Sequence, residues 1–202
     1  MLVIGITGGI GSGKSEICTM FRSMGVVTLI ADIIAKIEME RNDELREHIR
    51  QTFGADAYTT DEKLNVKFLS DTIFSNEEKV QKLNALVHPA VRNVLEAKIR
   101  YYEKELSASY IIIEAALIFE ASMNDLMDYI LVVDADEELR IKRALARGGL
   151  SREEIVQRMK TQMPPDEKKK YADFVLENNG TKEELQQRVN FFHSLFSTLK
   201  PA

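Results

Sequence analysis

The most constraining feature of this chain lies in its first fifteen residues. Leu2-Val3-Ile4-Gly5-Ile6 is an apolar, β-branched run that predicts a buried strand. Gly8-Gly9-Ile10-Gly11-Ser12-Gly13-Lys14-Ser15 follows at once, a complete G-x-x-x-x-G-K-S pattern, and a helical periodicity continues over about residues 14–23. Without Cβ atoms the glycines let the loop backbone curl around a ligand. Its N–H groups then converge as an anion nest, and the helix behind adds unpaired N–H groups and the positive end of its dipole. The candidate phosphate contacts are Gly9, Gly11, Ser12, Gly13, Lys14, Ser15 and Glu16. Lys14 has the reach for β- and γ-phosphates, and the Ser15 hydroxyl suits Mg²⁺. A glycine-rich turn that happens to precede a lysine is the alternative, and the flanking strand and helix argue against it.

The first helix carries Ile17, Met20, Phe21 and Met24 and ends at Gly25, after which residues 26–30 form a second continuous apolar strand. Lack of alternation marks strands buried on both faces, as in a parallel sheet. Asp32 comes just past that strand. On an open α/β sheet this edge is where ligands sit, so Asp32 is a candidate base for a substrate hydroxyl, with an N-cap for the next helix (residues 33–39) as the alternative. Residues 33–106 read as nearly all helix: 43–53 ending at Gly54, then 61–74, then a capping box at Ser75–Glu78 opening a helix that breaks at His88-Pro89 and restarts. So much helix between two strands predicts an insertion that holds the acceptor substrate. His88 is open to a catalytic or a packing role.

Further strands are expected at 110–114, 129–134 and 174–176. Between the last two, a helix is predicted with Leu139, Ala144 and Leu145 inward and Arg140, Lys142, Arg143 and Arg147 outward. A capping box at Ser151–Glu154 opens the next helix. Hinges at Gly148-Gly149 and Pro164-Pro165 make the pair a lid, and Arg143, Arg147 and Arg158 are suited to stabilise phosphoryl transfer. Lys168-Lys169-Lys170 reads as a solvated run. A third capping box at Thr181–Glu184 opens a final amphipathic helix with Leu185, Val189, Phe192, Phe196 and Leu199.

Charge sharpens this. Residues 139–170 hold ten Lys/Arg against four Asp/Glu, a local +6 that leaves −11 on the remainder of a chain with net charge −5. An acidic chain with one basic segment fits phosphate gathering and argues against nucleic acid as partner. No apolar run reaches membrane-spanning length, and the N-terminal run lacks the basic start of a signal peptide. A single cysteine, Cys18, forms no internal disulfide and fits a cytoplasmic location as inert packing.

These motifs, in this order, resemble the dephospho-coenzyme A kinase family. The resemblance rests on residues 5–15, Ala31-Asp32-Ile33-Ile34-Ala35-Lys36, Phe53-Gly54, Ile73-Phe74, Leu83 to Pro89, Leu117-Ile118-Phe119-Glu120, the lid series, Ala172 to Val175 and Asn178-Asn179-Gly180. It implies an α/β, three-layer P-loop fold with a five-stranded parallel sheet. The core would be residues 1–32, 107–139 and 171–202, the helical coenzyme A-binding insertion 33–106 and the helical lid 140–170. It implies ATP-dependent phosphorylation of the 3′-hydroxyl of the dephospho-coenzyme A ribose, with Mg²⁺, by a monomer or small homo-oligomer. Lys14, Asp32 and Arg143 would be catalytic, and Arg147, Asn178 and Gly180 would meet the nucleotide. Asp32, Phe74, His88, Pro89, Leu117, Phe119 and Glu120 would meet the acceptor. Ile30, Ala116 and Val66 depart from the family's usual acid, proline and arginine. Another small-molecule or nucleoside kinase, or a non-catalytic nucleotide switch, is the alternative.

Overall fold

Every residue of the N-terminal apolar run is buried, because the strand it forms, β1 (Leu2–Thr7), lies at the centre of a sheet. The computed structural model describes residues 1–73, 76–105 and 108–200. Within them β1 is flanked by β3 (Tyr110–Glu114) and β4 (Tyr129–Asp134), with β2 (Thr28–Ile30) beside β3 and β5 (Phe174–Glu177) beside β4. All four pairings are parallel, in register Leu2 to Tyr110, Ile4 to Tyr129, Thr28 to Ile112 and Leu131 to Phe174. The apolar runs without alternation are thus sheet strands covered on both sides. On one face Leu2, Ile4, Ile6, Ile112, Leu131 and Val133 meet Ile17 and Phe21 of α1 (Lys14–Ser23) and Leu185, Val189, Phe192 and Phe196 of the C-terminal helix. Each such burial contributes about 1.5–3 kcal/mol.

The chain divides into two compact units, Met1–Ile30 with Tyr101–Ala202, and Ala31–Arg100. The second begins with α2 (Ala31–Arg41), α3 (Asp43–Phe53) and α4 (Val66–Thr72), and supplies most of α5 (Glu77–Glu105). The first contains α6 (Glu137–Ala146), α7 (Arg152–Lys160), α8 (Pro165–Lys170) and α9 (Lys182–Thr198).

Several local expectations are corrected. Asp32 lies inside the first turn of α2, which starts at Ala31, and is no N-cap. α4 starts five residues later than periodicity predicts, because Tyr58 and Leu64 bridge a turn, Glu62 takes φ 62°, and the Asn65 side chain accepts from Phe68 N. α5 does not break at Pro89. Leu83, Val87, Val91 and Leu95 form one buried stripe on both sides of the proline, and together they outweigh the roughly 3 kcal/mol an interior proline costs. The Asn76 side chain accepts from Lys79 N at 3.1 Å, doing the capping expected of Ser75. Ser75 and Phe74 lie outside the described residues. On α6 the inward residues are Arg140, Ile141 and Ala144, while Leu145 is exposed.

Candidate active site

The loop between β1 and α1 is held from outside as much as from within. Gly11 and Gly13 take φ of 76° and 104°. A Cβ on Gly11 would run into the Arg140 backbone carbonyl, and one on Gly13 into the Asn178 side chain, so only glycine passes both on conformation and on space. Glu16 N and Ile17 N both donate to Gly13 O at 3.1 Å, which starts α1 directly from the loop. Lys14 is 9% exposed, and its Nζ donates to Gly8 O at 2.7 Å and Gly9 O at 3.1 Å. Ser12 Oγ is buried with no hydrogen-bond partner among the described residues.

Ser15 Oγ donates to Glu114 Oε1 at 3.2 Å. Glu114 ends β3, is 5% exposed, and its Oε2 has no hydrogen-bond partner among the described residues. Sequence reasoning passed over Glu114 as a site residue, although an acid ending an otherwise apolar buried strand is a usable signal. Beneath it, burial foremost and the nearby Glu114 charge next push the Cys18 thiol far up, in keeping with inert packing.

A polar chain ties α6 to the loop. Arg143 Nη1 donates to Asn178 O at 2.9 Å, and Asn178 Nδ2 donates to Ser12 O at 2.8 Å. Asn178 is buried just past β5, while Gly180 and Arg147 are exposed. Gln162, beyond α7, accepts from Ile10 N at 3.1 Å. The structure therefore brings Gly9, Gly11, Ser12, Gly13, Lys14 and Ser15 together with Arg143 and Asn178. Glu16 points to solvent near Lys182, 3.5 Å away.

The lysine run is the main surprise. Lys168 is fully buried, donating to Ala116 O at 2.7 Å and pairing with Glu120 at 3.0 Å. Glu120 Oε1 also accepts from Met163 N at 2.8 Å. Lys169 pairs with Asp134 at 2.5 Å, and that bond holds its pKa above the usual lysine range. The segment leaving α7 is thus bolted to residues 116–120. Leu117 and Phe119 are half-buried there, and Phe119 packs on Tyr171 at 5.8 Å between ring centroids. Nothing in a three-lysine run signals this, because its partners, from Ala116 to Asp134, are remote in sequence.

In the second unit, Asp32 follows β2 by two residues, and His88 and Pro89 lie in mid-α5, His88 half-buried. A groove of about 310 Å³ is lined there by Leu45, His48, Ala85, Leu86 and Pro89 among others. Beside it Arg46 and Arg50 lie over the Tyr58 ring, 5.4 and 4.9 Å from its centroid, and both pair with Glu62.

A glycine loop leaving the central strand of a parallel sheet, with a buried lysine, a serine against a strand-end acid and arginines beyond β4, defines a P-loop phosphotransferase fold. Comparison with known proteins narrows the class. Residues 2–184 match the family described as CoaE: Dephospho-CoA kinase. A dephospho-CoA kinase of Corynebacterium diphtheriae is 34% identical over 198 residues, 98% of each chain. The crystal structure of TT1252 from Thermus thermophilus superposes with a TM-score of 0.78 at 34% identity, covering 96% of this chain and 97% of that one. The dephospho-CoA kinase of Campylobacter jejuni gives 0.71 at 27% identity, covering 96% of each. The chain belongs to the dephospho-CoA kinase family.

Proposed function

We propose that this protein transfers the γ-phosphoryl group of ATP to the 3′-hydroxyl of the dephospho-coenzyme A ribose, yielding coenzyme A and ADP with Mg²⁺ as cofactor. The reading is carried by the family match over residues 2–184, which contains the phosphate loop, the helical insertion and the arginine-bearing helices together.

The residues suit a Mg²⁺–nucleotide. The loop is a cradle that added Cβ atoms would fill, and Ser12 Oγ and Glu114 Oε2 are buried polar atoms awaiting partners among the described residues. Ser15 and Glu114 offer the hard oxygen donors Mg²⁺ prefers, alongside phosphate. Bound there, Mg²⁺ neutralises charge on the phosphate oxygens.

The loop amides of residues 9–15 and Lys14 hold the β- and γ-phosphates, Lys14 exchanging its carbonyl partners for phosphate. Arg143 and Arg147 add positive charge as it spreads over the transferring group. Asn178 and Gly180 border the nucleotide. Asp32 orients the acceptor hydroxyl and takes its proton. Residues 33–106, with Phe74, His88 and Pro89, hold the coenzyme A arm, aided by Leu117, Phe119 and Glu120. Residues 140–170 act as the lid. The enzyme works in the cytoplasm on a small molecule, as a monomer or small homo-oligomer.

Incubation with Mg·ATP and dephospho-coenzyme A, read by mass spectrometry, tests this. The expected product is heavier than the acceptor by one phosphoryl group. ATP binding without that product, alongside phosphorylation of a nucleoside or small acid from a panel, would transfer the protein to another small-molecule kinase activity.

A further inference from the structure

Three segments of chain meet at the buried Lys168 ammonium. Its partner Ala116 O also accepts from Thr7 Oγ1 at 3.3 Å, and Thr7 ends β1 directly before the glycine loop. Its other partner, Glu120 Oε1, accepts from Met163 N as well. Glu120 therefore grips the chain on both sides of Pro164-Pro165, at Met163 before the prolines and at Lys168 after them. A pivot at the prolines is held against residues 116–120. At the other end of α7, Gly148 and Gly149 take φ of 74° and 85°, and a Cβ on either would meet nothing within 4 Å. That end is the one with room to turn.

The held end carries two neighbouring contacts that look toward different parts of the site. Gln162 Oε1 accepts from Ile10 N in the glycine loop, and Met163, the next residue, donates to Glu120. The peptide joining them is planar and stiff, so a displacement of one is felt by the other. Apolar packing is incomplete on this side, where a cavity of about 380 Å³ opens among Phe119, Met127, Met163 and Tyr171. The tie therefore falls to the ammonium. Lys168 is fully buried, and a buried charge is tolerated only with its partners in reach, so Ala116 and Glu120 cannot part from it gradually.

We propose that Lys168 is a positioning residue that couples residues 116–120 to nucleotide occupancy of the glycine loop, through Gln162 and Met163. This rests on the reading of the loop as the donor site and of residues 117–120 as acceptor contacts, and adds a link between the two. Nucleotide settling in the loop changes the position of Ile10. Gln162 follows through its hydrogen bond, and Lys168 keeps Ala116 and Glu120 in step with Met163. The protein thus grips the acceptor more tightly once the donor is in place.

Hydrogen-exchange mass spectrometry tests this in wild type and in Lys168→Met, below the melting temperature of each, with and without Mg·AMP-PNP, a non-hydrolysable triphosphate. In wild type, nucleotide is expected to slow exchange several-fold over residues 152–162 and over residues 116–121. In Lys168→Met it is expected to slow only residues 152–162. Gln162→Ala cuts the link at its other end and is expected to lose the slowing over 116–121 too, which keeps the test in hand should Lys168→Met fail to fold. Calorimetry supplies a second readout. AMP-PNP is expected to tighten dephospho-coenzyme A binding about fivefold or more in wild type and less than about twofold in Lys168→Met, with AMP-PNP's own affinity within about twofold of wild type. Slowing over 116–121 that survives in either folded variant overturns the proposal, as does its absence from wild type. An equal loss of affinity for both ligands in Lys168→Met makes the lysine a general support and overturns it as well. The exchange measurement contains no acceptor. A wild type that passes it and does not bind dephospho-coenzyme A fails the acceptor assignment and leaves the coupling to residues 116–120 standing.

Discussion

A full charge closed off from solvent, as at Lys168, is held by its partners alone. Removing it in Lys168→Met strands Glu120, which keeps 20% of its side chain in solvent. The expected loss is about 2 kcal/mol, below the range for a fully buried pair because of that exposure, and a denaturant titration reads it. Adding Glu120→Gln to that variant is expected to recover part of the loss. Two further substitutions concern the chemistry. Lys14→Ala is expected to remove most turnover. Asp32→Asn is expected to lower kcat about 100-fold with ATP affinity retained, as loss of a general base predicts; near-normal turnover there would sink the base assignment. Cys18 is expected to resist alkylation at pH 8 until the chain unfolds, since burial holds its thiol protonated. Lys14 and Ser15 were legible because their pattern is local and their context immediate. Lys168 and Arg140 were not. A lysine run reads as solvated, and the arginine fell on what periodicity made an outward face. The groups beside them, Glu120 at Lys168 and Gly9 at Arg140, are remote in sequence.

At the level of elements, boundaries were legible wherever a local signal and a packing signal agreed. α3 begins at Asp43 and ends at Gly54, and α9 opens on the Thr181–Glu184 capping box with both reciprocal bonds formed. Thr181→Ala is expected to cost about 1 kcal/mol, measured by denaturation. Where the two signals conflicted, packing won. Pro89 marks a break on local grounds, yet the buried stripe of α5 runs through it. Pro89→Ala is therefore expected to raise the melting temperature by several degrees, because it restores a helical N–H and removes a steric clash. If Pro89 also shapes the acceptor groove, the same variant will bind dephospho-coenzyme A more weakly while melting higher.

Across the whole molecule, the charge asymmetry in the sequence is partly spent inside the fold. Lys168 pairs with Glu120 and Lys169 with Asp134, while Arg152 meets Glu138 at the surface. The strand order was not legible, since period and propensity say only that the strands are parallel and buried; the register came from the structure. Saturating Mg·ATP stabilises a native-only binder by about 2.7 kcal/mol at one hundred times its Kd, so a rise of about 5–10 °C in melting temperature is expected. Lys14→Ala should lose most of that shift.

The bond from Asn178 Nδ2 to Ser12 O spans 166 residues. During synthesis the glycine loop leaves the ribosome well before the side chain that fills the space beside Gly13. Until residue 178 emerges the loop lacks that wall, and β1 has its first neighbour only after residue 114 and its second only after residue 134. The nascent chain thus has no finished phosphate cradle, and nucleotide cannot act as a template for its early folding. The capacity to bind arrives in one late step, when the last strand docks.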